Sequence, residues 1–177
     1  MQDVELFIHS AEIAGVFVGF GALIAIRSGA TMAAHEINAI RWVMAAGIWV
    51  VIVALAPTFI ASYGLGGRAL WLISGVLALT LLAIILVVFA RTPENRAEVQ
   101  ANVGRIPWRV IVLVIGTSFW LPLVSLVVAL VLVILGLFPA QQEALYLSAV
   151  GFGLLMSALG LFVGVFWQER PEVASGH

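Results

Sequence analysis

Residues 69–90 read ALWLISGVLALTLLAIILVVFA, an apolar run without a single charged side chain. The hydrocarbon of a bilayer is about 30 Å thick, and a helix needs about 20 apolar residues to cross it. Four further segments meet this length requirement, at 6–26, 42–63, 110–137 and 144–167. The sequence therefore predicts an all-α, polytopic transmembrane helical bundle with five transmembrane helices, forming a single membrane domain over 1–177.

Composition supports helices in a membrane over both a soluble domain and a barrel. Hydrophobic residues make up 63% of the chain and charged residues only 10%, whereas a soluble domain carries about 25% charged residues. A membrane barrel alternates apolar and polar residues with a period of two, and the run Val110–Ile115 shows no alternation. Helices remain, because each satisfies its own backbone hydrogen bonds within lipid.

The arginines predict the orientation. Seven of the eight basic residues, all of them arginine, fall in the segments 27–41 and 91–109 and in the tail 168–177, and the opposite side holds only Arg68. Short loops rich in arginine stay cytoplasmic. We therefore expect the N-terminus outside and the C-terminus and the two arginine-rich loops inside. We also expect a multi-pass protein of the plasma membrane, which in a bacterium is the inner membrane. Asp3 and Glu5 stand where a cleavable signal peptide has basic residues, so we expect the first segment to be retained.

Aromatic residues and short loops add detail to this topology. Trp and Tyr concentrate at membrane interfaces, and the predicted span ends carry Trp42, Trp108 and Trp167 inside and Tyr63, Trp71 and Tyr146 outside. Trp49 and Trp120 fall deeper, and we expect both to pack inside the bundle. The turns near 64–68 and 138–142 are short enough to make helices 2 and 3, and helices 4 and 5, antiparallel neighbours. We also expect a helical segment over 32–40 leading into helix 2 and a surface helix over 93–102.

Glu12 is the most informative polar residue, because it lies inside the first predicted span, roughly 9 Å from its outer end at 1.5 Å per residue. An ionisable group at that depth costs several kcal/mol unless it is paired, protonated or hydrated. It is either an ion, proton or substrate site, or a structural carboxylate that is hydrogen-bonded to a neighbouring helix or held at the interface by thinning of the bilayer. His9 shares its helix face, and a histidine changes charge between pH 5 and 8, although a lone interfacial histidine needs no function.

Proline interrupts two predicted spans. Pro57 in helix 2 removes the backbone N–H that would bond to the carbonyl of Val53, and the neighbouring Thr58 can help to satisfy the backbone. Pro122 does the same in helix 4, close to Ser118. Freed carbonyls can coordinate ions in transporters, so Pro57, Thr58 and Ser118 are candidate ion-binding residues. The alternative is an ordinary kink whose freed groups are satisfied by neighbouring helices.

Small residues recur at helical spacing in two spans. Gly15 and Gly19 form such a pair in helix 1, and helix 5 carries Gly153, Ser157, Gly160 and Gly164. Stripes of this kind let helix backbones approach closely. We expect helix-packing or oligomer interfaces at both, without a decision from sequence on whether the partner helix belongs to the same chain. Lining a pore is the alternative.

Several functions have no support in the residues. The chain contains no cysteine, and no nucleophile–base pair, phosphate-binding glycine loop or helical histidine pair for a metal is present. The dispersed arginines give no nucleic-acid patch. We therefore expect no enzyme, cofactor, metal or nucleic-acid partner. Two functions remain favoured: a small homo-oligomeric channel or transporter for an ion or proton, with Glu12 near its outer mouth, and a non-catalytic subunit or scaffold of a larger membrane complex. A third, an intramembrane enzyme acting on lipid, is disfavoured by the small number of polar residues.

Overall fold

The computed structural model describes residues 4–28, 34–91 and 117–166. Within these ranges the chain is all-helical, with five α-helices and one short 3-10 helix at Pro139–Gln141. The α-helices are α1 (Val4–Ser28), α2 (Ala34–Ser62), α3 (Gly67–Arg91), α4 (Thr117–Leu135) and α5 (Gln142–Phe166). Because α2 begins at Ala34, the helical segment expected before the second span continues directly into that span.

Four of these helices are long and apolar enough to cross a membrane: the stretches Val4–Ile24, Ile40–Ser62, Gly67–Arg91 and Pro139–Phe162. The described part of α4 contains a shorter apolar stretch, Trp120–Leu135, and the predicted start of its span at 110 lies outside the described residues. Because lipid offers no partners to backbone groups, these apolar segments fold as helices. The chain therefore has the character of a membrane-spanning helical protein.

The bundle is built from four helices with a fifth on its side. Helices α2, α3, α4 and α5 contact one another in that order around a ring that closes between α5 and α2, and α1 packs against α2 and α5. The expected pairing of α2 with α3 and of α4 with α5 is confirmed. Fully buried side chains fill the centre, among them Val50, Val53, Leu130 and Val150. Among the four helices long enough to cross a membrane, α1 has the smallest buried share, 17%, against 22% for α3.

Glycines with positive φ end and begin helices at the two described turns. Gly64, at φ 81°, donates its backbone N–H to the Ala61 carbonyl, and Gly136, at φ 67°, donates to the Leu132 carbonyl. Both positions favour glycine because a side chain is strained there. Beside Gly136, the Arg68 guanidinium lies 3.5 Å from the carbonyl oxygen of Leu135. This arginine, the exception to the charge rule, thus faces the negative end of the α4 dipole.

Deep tryptophans differ from one another. Trp49 is buried, as predicted for a residue that packs inside the bundle. Its indole Nε1–H donates to the Ala78 carbonyl at 2.9 Å and so connects α2 to α3. Trp120 is 63% exposed, so the prediction that it packs inside the bundle is wrong. The cause is its position on the outward face of α4, next to the exposed Leu121 and one turn before the exposed Val124.

The outer aromatic residues also depart from the expected interfacial belt. Tyr63 is exposed at the turn after α2, as a belt residue should be, but Trp71 and Tyr146 are buried. Their rings pack at a centroid distance of 5.6 Å, and Phe7 of α1 packs against both. An aromatic cluster therefore joins α1, α3 and α5 inside the end of the bundle that is predicted to be the outer one. Sequence position alone does not distinguish this cluster from a belt.

Several predictions concern residues outside the described part of the chain. These are the surface helix over 93–102, the interfacial positions of Trp108 and Trp167, and the tail 168–177. They stay predictions.

Candidate functional site

His9 and Glu12 contact each other on the surface of the bundle. The imidazole Nδ1 lies 3.1 Å from the carboxylate Oε2, across the i, i+3 spacing that places both residues on one helix face. Each side chain is 66% exposed. Glu12 lies about two turns into α1, and it points away from the helices that α1 packs against. The polar pair expected from the sequence exists, and it faces outward.

The same face continues along the length of α1. At 3.6 residues per turn, five residues fall within a strip about 80° wide, which we call the lateral stripe: Ile8, Glu12, Gly15, Gly19 and Leu23. All five are exposed. The side of α1 that carries Phe7, Ala11 and Ala14, next to this stripe, is buried. Only 17% of the α1 span is buried, against 44% of the α2 span, so one whole side of α1 lacks a described neighbour.

The helix-1 glycines do not pack within the described part of the chain. A Cβ built on Gly15 or on Gly19 meets no atom within 4 Å. The close approach between α1 and α2 occurs instead at Gly47, where a Cβ would lie 2.6 Å from a Val18 methyl group and 3.3 Å from the Ala14 carbonyl oxygen. Sequence reasoning did not single out Gly47, whose only signal is a lone glycine in an apolar run.

The helix-5 stripe has the opposite character. A Cβ on Gly153 would lie 2.6 Å from the Trp49 ring, and one on Gly160 would lie 2.9 Å from Val43, so both glycines bring α5 close to α2 of the same chain. The Ser157 hydroxyl donates to the Gly153 carbonyl at 3.1 Å and is fully buried. Gly164 lies further along α5, and its surroundings are outside the described residues. The described part of this stripe lies against a neighbour within the protomer.

The backbone group freed by Pro57 has a specific partner. Pro57 lies inside α2, and the hydroxyl of Tyr146 in α5 donates to the Val53 carbonyl at 2.8 Å. The Thr58 hydroxyl oxygen is buried and accepts or donates no hydrogen bond among the described residues. A neighbouring helix therefore satisfies the freed carbonyl, which leaves it less available as an ion ligand. Ser118 lies in α4, and its side chain is outside the described residues.

The centre of the bundle holds a small apolar cavity of about 20 Å³. It is lined by all four ring helices through Trp42, Ala46, Trp49, Leu82, Ile85, Leu126, Gly153 and Met156. A space of this size is that of about one water molecule, and a water needs two to four polar partners that an apolar lining does not offer. The described residues that line this cavity therefore provide no polar path.

Metal binding gains no support from the described side chains, where no three histidine or acidic residues stand close enough to share an ion. Comparison with protein-family models, with curated proteins and with solved structures found no match to this chain.

Proposed function

We propose that this chain is a non-catalytic subunit of a membrane assembly and that it associates with another transmembrane helix through the lateral stripe of α1. The observation that carries this proposal is the position of the His9–Glu12 pair, which is two-thirds exposed on the outside of the bundle. Away from their ends, the large side chains that the other described helices expose are apolar, for example Ile73 and Ile84 of α3. Such apolar surfaces are compatible with surrounding lipid, whereas a carboxylate in contact with lipid hydrocarbon is energetically costly.

The energetic argument rests on what the pair would face in each case. Ionisable groups within a membrane cost several kcal/mol when they face hydrocarbon, and they usually face other helices or water. Close to Glu12, Gly15 and Gly19 leave a shallow groove where a second helix can approach closely. Two features favour a helix as the neighbour. Glycines lose no side-chain conformational entropy when they pack, and the polar groups at one depth can form hydrogen bonds with the neighbouring helix. The lateral stripe thus has both features of a membrane helix interface.

A size measurement tests this proposal. Gly19→Leu places a large side chain on the lateral stripe, and Gly151→Leu is the matched control, since a Cβ there also meets no atom within 4 Å and the position is exposed on α5. In native membranes extracted into lipid nanodiscs, we expect the wild-type and Gly151→Leu particles to exceed one 18.9 kDa chain and the Gly19→Leu particle to be smaller. A single-chain wild-type particle, or an unchanged Gly19→Leu particle, contradicts the proposal.

The proposal includes five spans with the N-terminus outside, in the plasma membrane of a bacterium. Its support is the arginine distribution, together with the contact of Arg68 with the end of α4, which gives the one outer arginine a structural reason. A cysteine at Gly66 should react with an impermeant thiol reagent added outside intact cells, and a cysteine at Glu98 should react only after the membrane is opened. The reverse labelling would overturn the orientation.

A second candidate function is conduction of an ion or proton between subunits. The observation that favours it is again the exposed pair, because an imidazole beside a carboxylate provides polar groups that can line a path for an ion or proton. The described cavity inside the bundle is apolar, so such a path would run between copies.

Flux through liposomes separates the two functions. Conduction predicts that Glu12→Gln alters selectivity or pH dependence and that His9→Gln shifts the pH dependence, while the particle size is retained. An assembly subunit without transport gives wild-type flux equal to that of empty liposomes, from pH 5 to 8 and at both polarities of membrane potential. That result would eliminate conduction.

A further inference from the structure

Resting on the proposed assembly function, we infer that the helix on the lateral stripe is α1 of a second copy of this chain, related by a two-fold axis along the membrane normal. In this arrangement Gly15 and Gly19 of the two copies face each other. His9 of each copy lies opposite Glu12 of the other.

Charge complementarity identifies the occupant. Two copies inserted with the same topology place each residue at the same depth as its counterpart, so a two-fold interface pairs residue i with j and j with i. A lone carboxylate on the stripe would meet its own copy and repel it. The stripe instead carries an acceptor at Glu12, and His9, one turn away at the edge of the stripe, contacts that carboxylate and supplies a donor. The pair is therefore complementary to itself.

The hydrogen-bonding capacity of the pair allows this second contact. His9 uses Nδ1 and Glu12 uses Oε2 in the contact within one helix, and neither side chain has another partner among the described residues. The imidazole Nε2 and the carboxylate Oε1 remain for the second copy. An imidazole that carries a proton on both nitrogens donates from Nδ1 to its own Glu12 and from Nε2 to the Glu12 of the second copy, so the contact already present is kept.

The backbone geometry is compatible with close approach. Gly15 and Gly19 are four residues apart, the spacing at which two helices cross with their backbones in contact. Ile8 and Leu23 stand at the two ends of the stripe, both exposed, and would close the interface on either side of the crossing point.

Disulfide cross-linking of the purified full chain in liposomes, with no other protein present, tests the inference. The chain has no cysteine of its own, so single-cysteine variants report one position each. Ile8→Cys lies on the stripe, and Ile73→Cys is the matched control, because both are isoleucines that are 40% exposed near the outer end of a span. At high lipid-to-protein ratio we expect a covalent dimer with Ile8→Cys and not with Ile73→Cys.

Mixed variants test the crossed contact itself. Copies with His9→Gln are mixed with copies with Glu12→Gln, so that only the mixed dimer restores one His9–Glu12 contact between copies. We expect its yield to exceed the statistical half, with an association constant favoured by about threefold, the average size of a polar contact between membrane helices. A statistical mixture shows that the two residues pair only within one helix, and overturns the crossed contact.

The outcomes keep the inference and the proposed function apart. No dimer, or equal cross-linking at both positions, in pure liposomes overturns the second copy as the occupant. If Gly19→Leu still reduces particle size in native membranes, the proposed assembly function stands and the stripe binds a different chain. If native particles also contain a single chain, both fail.

Discussion

Tyr146→Phe removes the hydroxyl that donates to the Val53 carbonyl at 2.8 Å and retains the ring that packs against Phe7 and Trp71. The carbonyl lacks its usual helical partner because residue 57 is proline. An unsatisfied buried acceptor costs about 1–3 kcal/mol, and hydrogen bonds between membrane helices average about 0.6 with a maximum near 1.7 kcal/mol. We expect Tyr146→Phe to lower the free energy of unfolding by about 1–2 kcal/mol.

The reasoning makes a sharper prediction for the double variant. Pro57→Ala restores a backbone N–H four residues after Val53, and that N–H can bond to the carbonyl within α2. In this background the Tyr146 hydroxyl becomes dispensable, so Tyr146→Phe should lower the free energy of unfolding by less than about 0.5 kcal/mol. That value is the error within which the stability effects of independent substitutions add. The double-mutant cycle formed by these substitutions thus separates the coupling energy between Pro57 and Tyr146 from any packing change that Pro57→Ala causes alone.

The free energy of unfolding of the wild type, the two single variants and the double variant can be measured in mixed micelles. A denaturing detergent is titrated against a mild one, and reversible unfolding is followed by circular dichroism. Tyr63→Phe is the control, because Tyr63 is 85% exposed at the turn after α2 and should cost nothing. Equal losses from Tyr146→Phe in the proline and alanine backgrounds would refute the idea that Tyr146 compensates for Pro57.

Three further substitutions test the packing. Gly153→Ala should lower the unfolding midpoint in detergent, because its Cβ would lie 2.6 Å from the Trp49 ring and such overpacking costs about 1–3 kcal/mol; Gly151→Ala, in open space on the same helix, should not. Trp49→Phe should cost about 1–3 kcal/mol in the same assay, since it removes a buried hydrogen bond to α3 and enlarges the apolar cavity. Arg68→Gln should cost less than about 1 kcal/mol, because its contact with the end of α4 is exposed, and a larger loss would mean that the contact anchors the bundle.

Part of the site follows from local rules. The i, i+3 spacing of His9 and Glu12 dictates their shared face, and Pro57 necessarily leaves the Val53 carbonyl without an intrahelical donor. Both statements depend on the geometry of a single helix and need no knowledge of its neighbours. The donor to Val53 could not be foreseen, because Tyr146 is 93 residues away in the chain and its position at a span end suggested an interfacial role.

The sequence by itself determined the helical, membrane-spanning character, the short turns and the pairing of adjacent helices, because apolar length, glycine turns and backbone satisfaction act locally. Only the tertiary structure decided which face each helix turns inward. In these spans apolar residues surround the whole helix, so hydrophobicity does not mark a buried side as it does in soluble proteins. Packing complementarity decides instead: α5 presents Gly153 to Trp49, while α1 packs at Gly47 of α2 and leaves Gly15 and Gly19 on its outer face.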